Sequence, residues 1–174
     1  MKTIKDYIRT IPDFPIKGIQ FRDITTLVGD ADGLKLAIDT MCDMEKDLDF
    51  DIIAGAESRG FIFAAPMAYN MHKQFVLIRK KGKLPFKTIS QSYDLEYGST
   101  EIEMHTDSFK PGAKVLIVDD LIATGGTTKA MIKLVEKLGG VVAGVCVLVE
   151  LVDLKGRERI KDYRLDSAVT YEGE

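Results

Sequence analysis

The sequence predicts an α/β fold, with a mostly parallel central sheet and helices on both faces. Two observations carry this. Apolar runs of strand length alternate along the chain with segments of helical periodicity, the order that winds a parallel sheet. One run, 141–149, is apolar almost without a break, the pattern of a buried strand. At 174 residues, with 45% hydrophobic and 29% charged side chains, the chain suits a single domain, 1–174, with a substantial core.

Taken in order, Ile4, Tyr7, Ile8 and Ile11 have helical spacing, ended by Pro12 and Pro15. Asp30 to Leu48 reads as a second helix, with Leu34, Ile38, Met41 and Leu48 on one face. Strand 51–56, helix 60–71 and strand 74–79 follow. Residues 80–98 are rich in polar and turn residues and read as a mobile loop. Ile102, Met104 and Thr106 alternate as in a strand. Pro111-Gly112 marks a turn before strand 114–118, and helix 127–138 stops at Gly139-Gly140, as helices often do.

Residues 115–128 read Val-Leu-Ile-Val-Asp-Asp-Leu-Ile-Ala-Thr-Gly-Gly-Thr-Thr. A strand thus leads to two adjacent carboxylates, a Gly/Thr loop and a helix. Ligands of open parallel sheets bind outside the carboxyl ends of the strands. There Asp119 and Asp120 can accept hydrogen bonds from a ribose diol, or help hold a hydrated Mg²⁺. No bulky side chain stands between Ala123 and Thr128, so backbone N–H groups can approach an anion closely. Thr124, Thr127 and Thr128 add hydroxyls, and the helix N-terminus adds partial positive charge. The loop suits a monophosphate. It has neither the Gly-x4-Gly-Lys pattern of a P-loop nor a Gly-x-Gly-x-x-Gly after a strand.

Val115–Thr128 resembles the phosphoribosyl-pyrophosphate (PRPP) motif of the type I phosphoribosyltransferases, whose fold is Rossmann-like. The resemblance implies that Asp119 and Asp120 contact the ribose hydroxyls and that Ala123, Thr124, Gly125, Gly126 and Thr127 hold the 5′-phosphate. In 6-oxopurine members the position of Ala123 usually carries an Asp, so its absence points toward adenine. Lys17-Gly18-Ile19-Gln20-Phe21-Arg22-Asp23 resembles a segment of the adenine phosphoribosyltransferases in which an aromatic ring stacks on the base. Phe21 matches that ring, and Gln20 and Arg22 match flanking backbone readers; on periodicity alone Phe21 reads more readily as a core residue. Ser90–Gly98 resembles the family's flexible catalytic loop. Glu96 matches its acid/base near adenine N7 and Tyr97 a residue that covers the reacting centre, while the residues by themselves read as a solvated hairpin.

Glu57-Ser58-Arg59-Gly60 follows strand 51–56, where a guanidinium can grip pyrophosphate bidentately. Arg79-Lys80-Lys81-Gly82-Lys83 reads by itself as a solvated face but resembles a second pyrophosphate loop, Lys80 and Lys83 matching phosphate contacts and Arg79 one that reaches a neighbouring subunit's site. Val149-Glu150-Leu151, continued by Leu154-Lys155-Gly156-Arg157-Glu158, matches a further family run with no assigned chemistry.

The resemblance implies purine salvage: a pentosyl transferase giving AMP and pyrophosphate from adenine and PRPP, with Mg²⁺ held by PRPP and water rather than by direct protein ligands. It also implies a homodimer, a cytoplasmic location, a base-binding hood over residues 1–30 and catalytic roles for Glu96 and Arg59. Transfer to xanthine or another base, or a PRPP- or purine-sensing regulator of the same fold, are the alternatives. Net charge of −3 argues against a nucleic-acid partner, and no apolar stretch has transmembrane length or the form of a signal peptide. Cys42 and Cys146 read as reduced, buried thiols.

Overall fold

The computed structural model describes residues 1–95 and 97–173. Helix α1 (Ile4–Tyr7) stops after one turn, short of the expected Ile11, because Ile8 turns extended at φ −91°, ψ 124°. Strand β1 (Arg9–Pro12) then pairs antiparallel with β2 (Gln20–Asp23). Ile4 and Ile8 are both buried, so their spacing does mark a buried face. Burying them takes one turn only, and the β1–β2 ladder, tied by Arg9–Asp23 and by Arg22 donating to Thr10 Oγ1, takes the rest. After the single turn α2 (Thr25–Val28), helix α3 (Ala31–Met44) opens on Asp30, whose carboxylate accepts from the N–H groups of Asp32 and Gly33 at 3.0 Å. This is a conventional N-cap. The helix ends at Met44, four residues before the expected Leu48, and turns fill the interval.

Beyond it come β3 (Ile52–Ala56), α4 (Arg59–Met71), β4 (Gln74–Lys80), β5 (Thr88–Asp94) and β6 (Ser99–His105). The chain closes with β7 (Lys114–Ile122), α5 (Gly126–Lys137), β8 (Val141–Leu151), a 3₁₀ turn, α6 (Gly156–Arg159) and β9 (Leu165–Tyr171). Seven strands form one sheet in the order β5-β6-β4-β3-β7-β8-β9. The pairs β3–β4, β3–β7, β7–β8 and β8–β9 are parallel; β4–β6 and β5–β6 are antiparallel. The 80–98 region is therefore not irregular throughout, since Thr88–Asp94 is the outermost strand.

Alternation along β7 divides the core. Val115 and Ile117 pack with α5 residues such as Met131 and Leu134. Leu116 and Val118 lie in the second half of the core, with Ile4 of α1, Ile38 of α3, and Phe63 and Met67 of α4. Gly55 lets α4 approach, since a Cβ there would lie 2.6 Å from that of Ala64. Both thiols are unpaired; Cys146 is fully buried and Cys42 half-buried.

Candidate active site

Parallel β3, β4 and β7 all end on one side of the sheet, and their carboxyl ends, with the segments that follow, carry most of the residues singled out above. The acidic pair lies inside β7 rather than after it, with Asp119 and Asp120 at 8% and 6% exposure. The strand runs on to Ile122 before Ala123–Gly125 turns the chain into α5, with Gly125 at φ +81°. A cleft of about 440 Å³ lies over this turn, lined by Arg59, Asp119, Asp120 and Ala123–Thr127. Arg59 Nε is 2.8 Å from Asp120 Oδ2, and the backbone N–H of Asp120 donates to Asp119 Oδ1 at 2.9 Å. Burial, reinforced by the Asp120 charge, pushes the Asp119 carboxyl well above the usual carboxylate range. The start of α4 is pressed onto this carboxylate: a Cβ on Gly60 would stand 2.7 Å from Asp119 Oδ1.

Tyr93, on β5, also reaches the cleft, and its hydroxyl lies 3.2 Å from Thr127 Oγ1. Sequence reading passed over it because β5 is polar and its approach depends on the antiparallel pairing with β6. Lys137 fixes the same strand to α5 by donating to Ser90 O at 2.7 Å.

Arg79, Lys80 and Lys83 stand beside the segment that begins at Glu57 but outside the cleft lining. Arg79 donates from Nε and Nη2 to Glu57 Oε2 at 3.2 and 3.1 Å, and from Nη1 to Lys83 O at 3.2 Å. The Lys80 N–H donates to Glu57 Oε1 at 2.6 Å. Arg79 is thus engaged within its own chain. Glu103, buried on β6, accepts from the N–H groups of Gly82 and Leu84 at 3.1 and 3.0 Å. Burial opposes ionisation of both glutamates. The Lys80 amide and Arg79 outweigh it at Glu57, and the Leu84 and Gly82 amides do so at Glu103, holding each below the ordinary glutamate value. Neither carboxylate was singled out from sequence, because their partners come from separate strands. The Glu57–Ser58 peptide is cis.

Gln20, Phe21 and Arg22 lie on β2, apart from the cleft lining. Phe21 packs edge-on against Phe14, with centroids 5.1 Å apart. Arg22 stacks over the Tyr171 ring at 4.3 Å. Tyr171 pairs with Leu151 at the carboxyl end of β9, so β2 is anchored on the side of the sheet that carries Asp119 and Asp120. Tyr97 is exposed in the β5–β6 turn, and Glu96 lies outside the described residues. Among the described residues, no group of three His, Cys, Asp or Glu side chains converges as a metal cage, and no helix is long and apolar enough to cross a membrane.

A family model described as the phosphoribosyl transferase domain matches residues 35–173. The chain is 62% identical over 173 residues to an adenine phosphoribosyltransferase of Agathobacter rectalis, covering 99% of each. The crystal structure of the Thermoanaerobacter pseudethanolicus adenine phosphoribosyltransferase superposes with a TM-score of 0.93 at 47% identity, covering 97% of this chain and 98% of that one. The APRTase of Giardia lamblia, solved in complex with 9-deazaadenine, superposes with a TM-score of 0.89 at 35% identity, covering 98% and 99%. With matches of this extent, the chain belongs to the phosphoribosyltransferase family, and within it to the adenine phosphoribosyltransferases.

Proposed function

We propose that this chain transfers 5-phosphoribose from PRPP to N9 of adenine, yielding AMP and pyrophosphate in purine salvage. The observation that carries the reading is the cleft in which Asp119, Asp120 and the Ala123–Thr127 turn stand together against Arg59. The backbone of Ala123–Thr127, the Thr124 and Thr127 hydroxyls and the α5 N-terminus bind the 5′-phosphate. Asp119 and Asp120 orient the ribose by accepting from its diol. During transfer the bond from C1′ to pyrophosphate breaks, the bond to N9 forms, and charge builds on the leaving group. Arg59, Lys80 and Lys83 stabilise that charge. Arg59 approaches Asp120 through Nε, and among the described residues no other ion pair holds its guanidinium, whose outer N–H groups can donate to phosphate oxygens. Mg²⁺ would add charge neutralisation on the donor, and adjacent hard carboxylate oxygens suit it as partners through water.

Phe21 stacks on adenine, and the backbone of Gln20 and Arg22 reads its edge. Glu96 exchanges the base proton and Tyr97 covers the reacting centre. Closure of the 80–98 loop excludes water that would otherwise hydrolyse PRPP. Arg79, as placed, acts on its own chain through Glu57. The enzyme works as a homodimer, and its two free thiols accord with a reducing cytoplasm.

A panel of bases with Mg²⁺ and PRPP tests this. Adenine should give AMP, and hypoxanthine and xanthine should react with kcat/KM at least ~100-fold lower, because the site hydrogen-bonds a 6-amino group. Equal turnover of the oxopurines, or no AMP at all, would overturn it.

A further inference from the structure

The run Val149–Glu158 takes no part in the chemistry above. We propose that it is a bracket that shapes the 5′-phosphate turn, with Gly156 and Arg157 as positioning residues for PRPP and for product nucleotide. This rests on the reading of Ala123–Thr127 as the phosphate turn.

Gly156 is buried directly behind that turn. A Cβ on it would lie 2.4 Å from the carbonyl oxygen of Ala123 and 2.8 Å from Ile122 Cγ1. Conversely, a Cβ on Gly125 would stand 2.9 Å from the carbonyl oxygen of Gly156. The two backbones therefore touch with no side chain between them. The carbonyl of Ala123 is set against Gly156. Across a planar trans peptide the Thr124 N–H must point the opposite way, on the cleft side. Contact at Gly156 thus fixes the direction of a donor two elements away.

The bracket is held rigidly. Arg157 donates from Nε to Glu150 Oε1 at 2.9 Å and from Nη2 to Oε2 at 2.6 Å, a bidentate pair, and from Nη1 to Leu165 O at 2.9 Å. Glu150 is buried and also accepts from Ser167 Oγ at 2.7 Å. Its register partner on β7 is Ile122, the last strand residue before the turn. The anchor and the turn therefore share one row of the sheet. On the other flank Arg159 Nη1 comes within 3.3 Å of where a Gly126 Cβ would be.

Steady-state kinetics and AMP titration of the full chain test the proposal. Gly156→Ala should raise KM for PRPP and Kd for AMP about 10-fold or more, since displacement of a positioning contact by an ångström has effects of that order. KM for adenine, and kcat at saturating PRPP, should move less than ~3-fold, because neither depends on the turn once the donor is bound. Arg157→Lys keeps the charge but loses the fork and should move the same two constants in the same direction. Gly112→Ala, a positive-φ glycine at the opposite end of β7, should lower Tm without touching them. Thr127→Ala tests the turn itself. If Thr127→Ala weakens PRPP binding while Gly156→Ala and Arg157→Lys do not, the bracket is wrong and the phosphate turn stands. If Thr127→Ala also leaves PRPP binding intact, the reading of the turn fails and the bracket with it. Should Gly156→Ala not fold, Arg157→Lys decides by the same readout.

Discussion

Asp119 and Asp120 are neighbours in sequence but not equivalent in chemistry. Asp119 is enclosed by the start of α4 and resists ionisation, whereas Asp120 carries Arg59 as a counter-ion. Asp120→Asn should therefore release Arg59 and weaken the grip on ribose together, lowering kcat/KM at least ~10-fold. Near-normal kinetics would take Asp120 out of the site. The pair, like the Ala123–Thr127 turn, was legible in the sequence because its members are contiguous. Glu57, Tyr93, Glu103 and Gly156 were not. Each acts on a backbone or hydroxyl group from a distant part of the chain, and no local pattern records such a contact.

At the scale of elements, the segment 79–84 is held from two sides. Glu57 binds its beginning through Arg79 and the Lys80 amide, and Glu103 binds its end through the amides of Gly82 and Leu84. Glu103→Ala leaves those amides without their acceptor and should loosen Lys83, raising KM for PRPP about 3–10-fold, a loss on the scale of one or two hydrogen bonds. Glu103→Gln keeps an acceptor oxygen and should recover most of it. Equal KM values for the two variants would show that the carboxylate does not shape the loop. Legibility at this scale followed burial. Strands β3, β7 and β8 and helices α3, α4 and α5 announced themselves through apolar runs and periodicity, some ends falling in place and others misplaced by up to four residues. Strands β1, β2, β5 and β9 did not, since they are short or half-exposed and owe their conformation to a partner strand.

Over the whole molecule, the seam between α3 and the β8–β9 edge contains a group at odds with its surroundings. Glu45, at the end of α3, has 0% exposure, and among the described residues neither carboxyl oxygen has a hydrogen-bond partner. Arg164 Nη2 approaches only to 3.7 Å. Burial, followed by the Asp166 charge, raises its pKa from 4.5 to about 7. The sign follows: the unfolded chain ionises near pH 4.5, so this group lowers stability progressively as pH rises from there through 7. Glu45→Gln should flatten that slope. At pH 8 it should raise Tm by about 2–8 °C, for a penalty of ~1–2 kcal/mol after relaxation. A thermal melt series across pH 5–8 with the slope unchanged would place the charge elsewhere.

Cys146 lies in the same seam, fully enclosed and with its thiol pushed far from ionisation by burial and then by Glu45. An alkylating reagent needs the thiolate, so attack must wait until β8 is laid open. The chain therefore contains its own clock for structural opening. Cys42 should label first, and the delay before Cys146 follows should lengthen whenever AMP is added, without any engineered probe.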